Sequence, residues 1–106
     1  MEGIISTNRR VIELGNSAGL VTIQRLFALD LSSIERGIRL VKRARPIYVE
    51  VLPALAYPLM ASRHPEVHQW HVLAGGLLKS EEEVSLVLEA GATGVSTSHR
   101  ALWKGA

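Results

Sequence analysis

Two segments rich in glycine and hydroxyl residues have the chemistry to hold an anion: Ala74-Gly75-Gly76 and Gly94-Val95-Ser96-Thr97-Ser98. Glycine lets the backbone approach a ligand closely. Successive backbone N–H groups, serine and threonine hydroxyls and a helix N-terminus then donate hydrogen bonds to it. Gly75, Gly76, Ser96, Thr97 and Ser98 are therefore the phosphate-binding candidates. The plainer reading is that the glycines make tight turns and the hydroxyls cap a helix.

Charged and polar residues inside apolar runs are the second signal. Gln24 and Arg25 lie within Leu20–Phe27, and Glu50 lies between Val49 and Val51. A strand covered on both faces buries its side chains, so each charge needs a partner. Gln24, Arg25 and Glu50 either line a ligand crevice, or Arg25 and Glu50 form a structural ion pair. Asp30 follows the same run, where it can meet a ligand hydroxyl or favour the start of the next helix. A third group, Arg36, Arg39, Lys42 and Arg43, forms a basic helical stripe. Arg36, Arg39 and Arg43 could meet RNA phosphates, although such a stripe is more often the wet side of an amphipathic helix.

Other chemistries find little support. His64, His68 and His71 are spaced for metal ligation, but Pro65 and an incipient strand at His71 keep them off one helical face, so no metal is expected. No serine sits in a nucleophile elbow. No carboxylates pair suggestively, and no lysine ends a strand as a Schiff-base aldolase requires.

These residues must be positioned by short apolar runs that alternate with helical stretches. Strands are predicted near 3–6, 20–27, 47–52, 70–74 and 93–96. Helices are predicted at 8–14, capped by Thr7 and ended by Gly15; at 32–44, stopped by Pro46; at 54–63, interrupted by Pro58; from a Ser80–Glu83 capping box to Gly91; and at 99–104. This βαβαβαβαβ(α) order implies an α/β fold with a parallel sheet and right-handed crossovers. An open doubly wound sheet and part of an eight-stranded barrel both fit. In a barrel, the two glycine-rich segments become neighbouring loops on one rim, where phosphate binds after the last two strands.

Composition sets the outer limits. The chain has 106 residues, 47% hydrophobic and 21% charged, which suits one globular domain. It contains no cysteine, which excludes disulfides, thiolate metal sites and a cysteine nucleophile. No apolar run reaches the ~18 residues of a membrane span, and Met1-Glu2-Gly3 is not a signal peptide. A cytoplasmic location is expected. The net charge of +2 argues only weakly for a polyanionic partner.

Taken in order, Gly3-Ile4-Ile5-Ser6-Thr7, Thr22-Ile23-Gln24-Arg25-Leu26-Phe27, Leu29-Asp30, Glu50-Val51-Leu52-Pro53, Ala74-Gly75-Gly76-Leu77, Val95-Ser96-Thr97-Ser98 and Leu102-Trp103 resemble a known family. It is that of the glycerol uptake operon antiterminator regulatory proteins, glycerol-3-phosphate-responsive and mRNA-binding. The resemblance runs over essentially the whole chain. It implies a non-catalytic phosphate-binding βα-barrel, a partial TIM barrel in this chain, with glycerol 3-phosphate at the barrel mouth. Gly75, Gly76, Ser96, Thr97 and Ser98 match the family's phosphate segments, and Gln24, Arg25 and Glu50 match its polar strand ends. Ligand binding is expected to favour a form that binds leader mRNA and prevents transcription termination. The alternatives are a fragment of a phosphosugar-handling enzyme, with Glu50 and Asp30 as its acid–base pair, or a degenerate fragment without activity.

The chain departs from the family in places. Ala54 replaces a glycine, Leu31 a serine and His71 a proline. About three βα units that precede Gly3 in the family are missing from an eight-stranded barrel. Five strands cannot close, so the chain is expected to form a homo-oligomer, to bind a partner supplying the missing strands, or to be marginally stable.

Overall fold

The computed structural model describes residues 3–76 and 80–96. Five strands, β1 (Gly3–Ser6), β2 (Val21–Phe27), β3 (Tyr48–Leu52), β4 (Val72–Gly75) and β5 (Gly94–Ser96), form one parallel sheet in the order β1-β2-β3-β4-β5. Between them run helices α1 (Arg9–Ser17), α2 (Leu31–Ala44), α3 (Tyr57–Arg63) and α4 (Glu81–Glu89). Sequential neighbours all pair in parallel, so every connection is a crossover through a helix. An uninterrupted sequential order curves a sheet toward a barrel, whereas a doubly wound sheet reverses its order. The ordering thus selects the partial TIM barrel. No helix among the described residues is long and apolar enough to cross a membrane.

Strand alternation separates two faces. Thr22, Gln24, Leu26, Val49, Val51, Val72 and Ala74 are buried. The α2 contribution, Ile38 and Val41, packs with most of this layer, as do Tyr57 and Met60 of α3 and Val87 of α4. On the opposite, concave face, Ile5 and Phe27 remain 51% and 44% exposed. In a closed barrel that face is the packed interior; here five strands leave it open.

Several helix boundaries differ from expectation for clear reasons. Asn8, not Thr7, caps α1, its Oδ1 accepting from the N–H groups of Arg10 and Val11 at 2.8 and 3.3 Å. Gly15 lies inside α1 rather than ending it. A Cβ there would stand 2.8 Å from Thr22 Cγ2, so glycine permits the close approach of helix to sheet. The turn itself falls at Gly19, at φ +74°. Pro58 sits in the first turn of α3 instead of breaking it, where its missing N–H costs nothing. Gly91 has φ +113°, as expected of the residue after α4. Residues 99–104, expected to be helical, lie outside the described residues.

A polar clamp closes the amino-terminal edge of the sheet. Asn16 Nδ2 donates to the carbonyls of Ala44 and Arg45 at 2.8 and 3.1 Å. Thr22 Oγ1 donates to Asn16 Oδ1 at 2.7 Å and accepts from Ile47 N–H at 3.0 Å. One threonine and one asparagine thereby tie α1, the end of α2 and the starts of β2 and β3 together.

Candidate functional site

The carboxyl ends of β2 to β5 bring the expected pieces to one place. Arg25 and Glu50 are partners in the register of β2 and β3, and Gly75 and Ser96 are partners in that of β4 and β5. Arg25 Nε donates to Glu50 Oε1 at 2.8 Å, with the two side chains 45% and 14% exposed. This pair is the structural alternative read from the sequence, and it lies on the open concave face. Only Oε1 of Glu50 takes a hydrogen bond among the described residues. The other oxygen, Oε2, lies 3.5 Å from where a Gly75 Cβ would stand. The ion pair therefore abuts the glycine segment.

Gly75 is the last residue of β4, so it belongs to the strand rather than to the turn. A Cβ on it would lie 3.0 Å from Leu52 Cδ2. Gly76 turns the chain at φ +79°, a conformation that side chains disfavour. Gly75, Gly76 and Ser96 thus form one continuous stretch of rim. Thr97 and Ser98 lie outside the described residues.

Gln24 departs from its expected place. It is one residue from Arg25 on the same strand and so faces the opposite side. It is 1% exposed within the helix-facing layer, and its Oε1 has no hydrogen-bond partner among the described residues. The reason is the period of two: adjacent strand residues cannot both line the concave face.

Asp30 resolves toward the helix. It is the N-cap of α2, its Oδ1 accepting from Ser33 N–H at 2.7 Å, while Ser33 Oγ accepts from Asp30 N–H at 3.0 Å. The backbone and side chain of Ser33, with a smaller contribution from Arg36, hold the Asp30 carboxyl below its usual range. Asp30 is thereby engaged in a capping box.

Arg36, Arg39, Lys42 and Arg43 are all exposed along α2. Lys42 Nζ reaches Glu66 at 3.7 Å. The three arginines make no ion pair with another described residue. Among the described residues no group of three or more histidine, cysteine, aspartate or glutamate side chains could hold a metal ion. A cavity of about 210 Å³ between α2 and α3 is lined by residues including Leu29, Asp30, Ile34, Leu59, Met60 and Arg63. It contains none of Arg25, Glu50 and Gly75 and is mostly apolar, unlike a phosphate site.

Fold and rim together define an arc of a βα-barrel, with its carboxyl-end rim and concave face accessible. The family profile described as "Glycerol-3-phosphate responsive antiterminator" matches residues 1–103, and the chain belongs to that family. Among solved structures it is similar to the glycerol uptake operon antiterminator regulatory protein of Listeria monocytogenes. The TM-score is 0.87 at 34% identity, covering 99% of this chain and 56% of that one. A glycerol uptake operon antiterminator-related protein of Thermotoga maritima gives a TM-score of 0.85 at 35% identity, over 97% of this chain and 58% of the other. The uncharacterized protein YgcP of Escherichia coli (strain K12) is 28% identical over 102 residues, 96% of this chain and 53% of YgcP. The chain therefore spans little more than half the length of these relatives.

Proposed function

We propose that this chain is a non-enzymatic sensor. Glycerol 3-phosphate binds at the rim of Gly75, Gly76, Ser96, Thr97 and Ser98, and the bound form holds leader mRNA so that transcription through glycerol uptake and metabolism genes is not terminated. The observation that carries the reading is the register of Gly75 with Ser96, which joins the two glycine- and hydroxyl-bearing segments into one rim next to Arg25 and Glu50. Backbone amides at such a rim suit a phosphate dianion. Membership of a glycerol-3-phosphate-responsive family supports the ligand.

The exposed Arg36, Arg39 and Arg43 on α2 are the proposed RNA contact, acting by phosphate neutralisation. Ligand and RNA are linked, so each tightens the other by the same factor. We place the protein in the cytoplasm, where both are found. The open concave face and the β1 edge are covered in use, by another copy of the chain or by a partner that supplies further βα units.

Calorimetric titration with glycerol 3-phosphate tests the site. Binding is expected in the unaltered protein and should be lost or greatly weakened in Ser96→Ala and Gly75→Asp. Unchanged affinity in both variants removes these segments from the site.

A further inference from the structure

We infer that Glu50 is a specificity-determining residue. Its carboxylate selects phosphate monoesters that carry a free hydroxyl two or three carbons from the ester oxygen, and rejects those with a bare alkyl tail. The inference rests on the phosphate rim proposed above and adds to it the part of the ligand that the rim does not read.

Glu50 projects from β3 onto the concave face, where Arg25 Nε occupies one of its oxygens at 2.8 Å. That bond fixes the carboxylate's orientation. The second oxygen, Oε2, accepts no hydrogen bond from the described residues and points at the glycine segment, 3.5 Å from the Gly75 Cβ position. A Cβ at Gly75 would fill the space beside that oxygen and crowd Leu52 Cδ2 at 3.0 Å; glycine leaves that space free.

An ionised carboxylate beside a dianion is repulsive, and desolvation makes it more so. Placed next to a phosphate rim, Glu50 therefore weakens binding of any ligand that offers it only carbon. A carboxylate is an acceptor only. The group that converts the repulsion into attraction is a hydroxyl donor on the ligand's own tail, within a few bond lengths of the phosphate. A short polyol phosphate meets that requirement. Arg25 serves as the positioning residue, acting on the ligand through Glu50.

The test compares glycerol 3-phosphate with propyl phosphate, which has the same carbon chain without hydroxyls, by calorimetry on the whole chain. The unaltered protein is expected to favour glycerol 3-phosphate by roughly 10- to 100-fold, the worth of one or two hydrogen bonds to a charged group. In Glu50→Gln, which keeps the side-chain shape and an acceptor for Arg25, that preference should fall to within about threefold of unity, counting the loss of charge assistance. Propyl phosphate should bind Glu50→Gln as tightly as the unaltered protein or more tightly, because a like charge has gone. A merely structural role for Glu50 would weaken both ligands in parallel, and that result overturns the inference. Equal affinity of the unaltered protein for the two ligands also overturns it while leaving the phosphate rim intact. Failure of the unaltered protein to bind either ligand overturns the rim and the inference together.

Discussion

Replacing Thr22 with valine removes one hydroxyl from the amino-edge clamp while nearly preserving shape. The loss leaves two groups without partners: Asn16 Oδ1, which accepts from Thr22 at 2.7 Å, and the Ile47 N–H, which donates to it at 3.0 Å. Thr22 itself is fully buried, and both contacts are partly shielded from water. An orphaned buried polar group costs roughly 1–3 kcal/mol, so two in part-buried positions should lower stability by about 2–4 kcal/mol. For a domain of this size each kcal/mol corresponds to about 4–8 °C in Tm. Thr22→Ser keeps the hydroxyl and loses only Cγ2, which packs toward Gly15. It should cost about 1 kcal/mol as a small packing defect. Urea unfolding of both variants and of Asn16→Ala and its double mutant gives the coupling directly. Thr22→Val and Asn16→Ala should be markedly non-additive, because deleting Asn16 removes one of the two orphans. Ligand affinity should not change in folded Thr22→Val, since the clamp lies at the edge opposite Gly75. A Thr22→Val cost no larger than that of Thr22→Ser, or simple additivity with Asn16→Ala, would refute the clamp.

Other variants probe separate parts of the structure. Gly37→Ala places a Cβ 2.5 Å from Leu26 Cγ, so overpacking between α2 and β2 should outweigh the better helix propensity and destabilise the protein by about 1–2 kcal/mol in urea titration. Asp30 has a lowered pKa, so its stabilising effect is present above its unfolded value near 3.8 and is lost as pH falls through the folded value. Asp30→Ala should therefore lower Tm at neutral pH and leave it unchanged in strong acid. Tyr57 is fully buried with its hydroxyl unpartnered among the described residues, and burial raises its pKa. Its contribution to stability is full below the unfolded value near 10 and is lost as pH rises through the folded one, so Tyr57→Phe should hold or raise Tm and weaken alkaline unfolding. Replacing Arg36, Arg39 and Arg43 together by glutamine should reduce the salt dependence of leader-RNA binding by about 2 in log–log slope, at ~0.7 per single-strand phosphate contact.

The alternation of short apolar runs with helical stretches was enough to place five parallel strands, because a strand covered by helices is apolar and a crossover needs about a dozen residues. Choosing between a barrel arc and a doubly wound sheet depends on strand order, which no local pattern encodes. Within the site, Arg25 and Glu50 were legible as charges in apolar surroundings, and their register confirms the pairing. The face of Gln24 was not. Val21, Ile23 and Phe27 are as apolar as Leu26 and Ala28, so composition does not reveal which set meets the helices. The Asn16–Thr22 clamp leaves no sequence signature, because its partners are backbone carbonyls and an N–H about 25 to 29 residues away. Gly15 reads as a helix stop because a glycine needed for close packing and one needed for a turn look alike in sequence.

The rim's role is tested most directly by following backbone amide resonances while glycerol 3-phosphate is added. Gly75, Gly76 and Ser96 should shift in a saturable, concentration-dependent way, whereas Gly19 and Gly91, which precede strands at the opposite edge, should stay in place. Saturable shifts at Gly19 and Gly91 with none at Gly75, Gly76 and Ser96 would contradict the assignment of the carboxyl rim as the anion site.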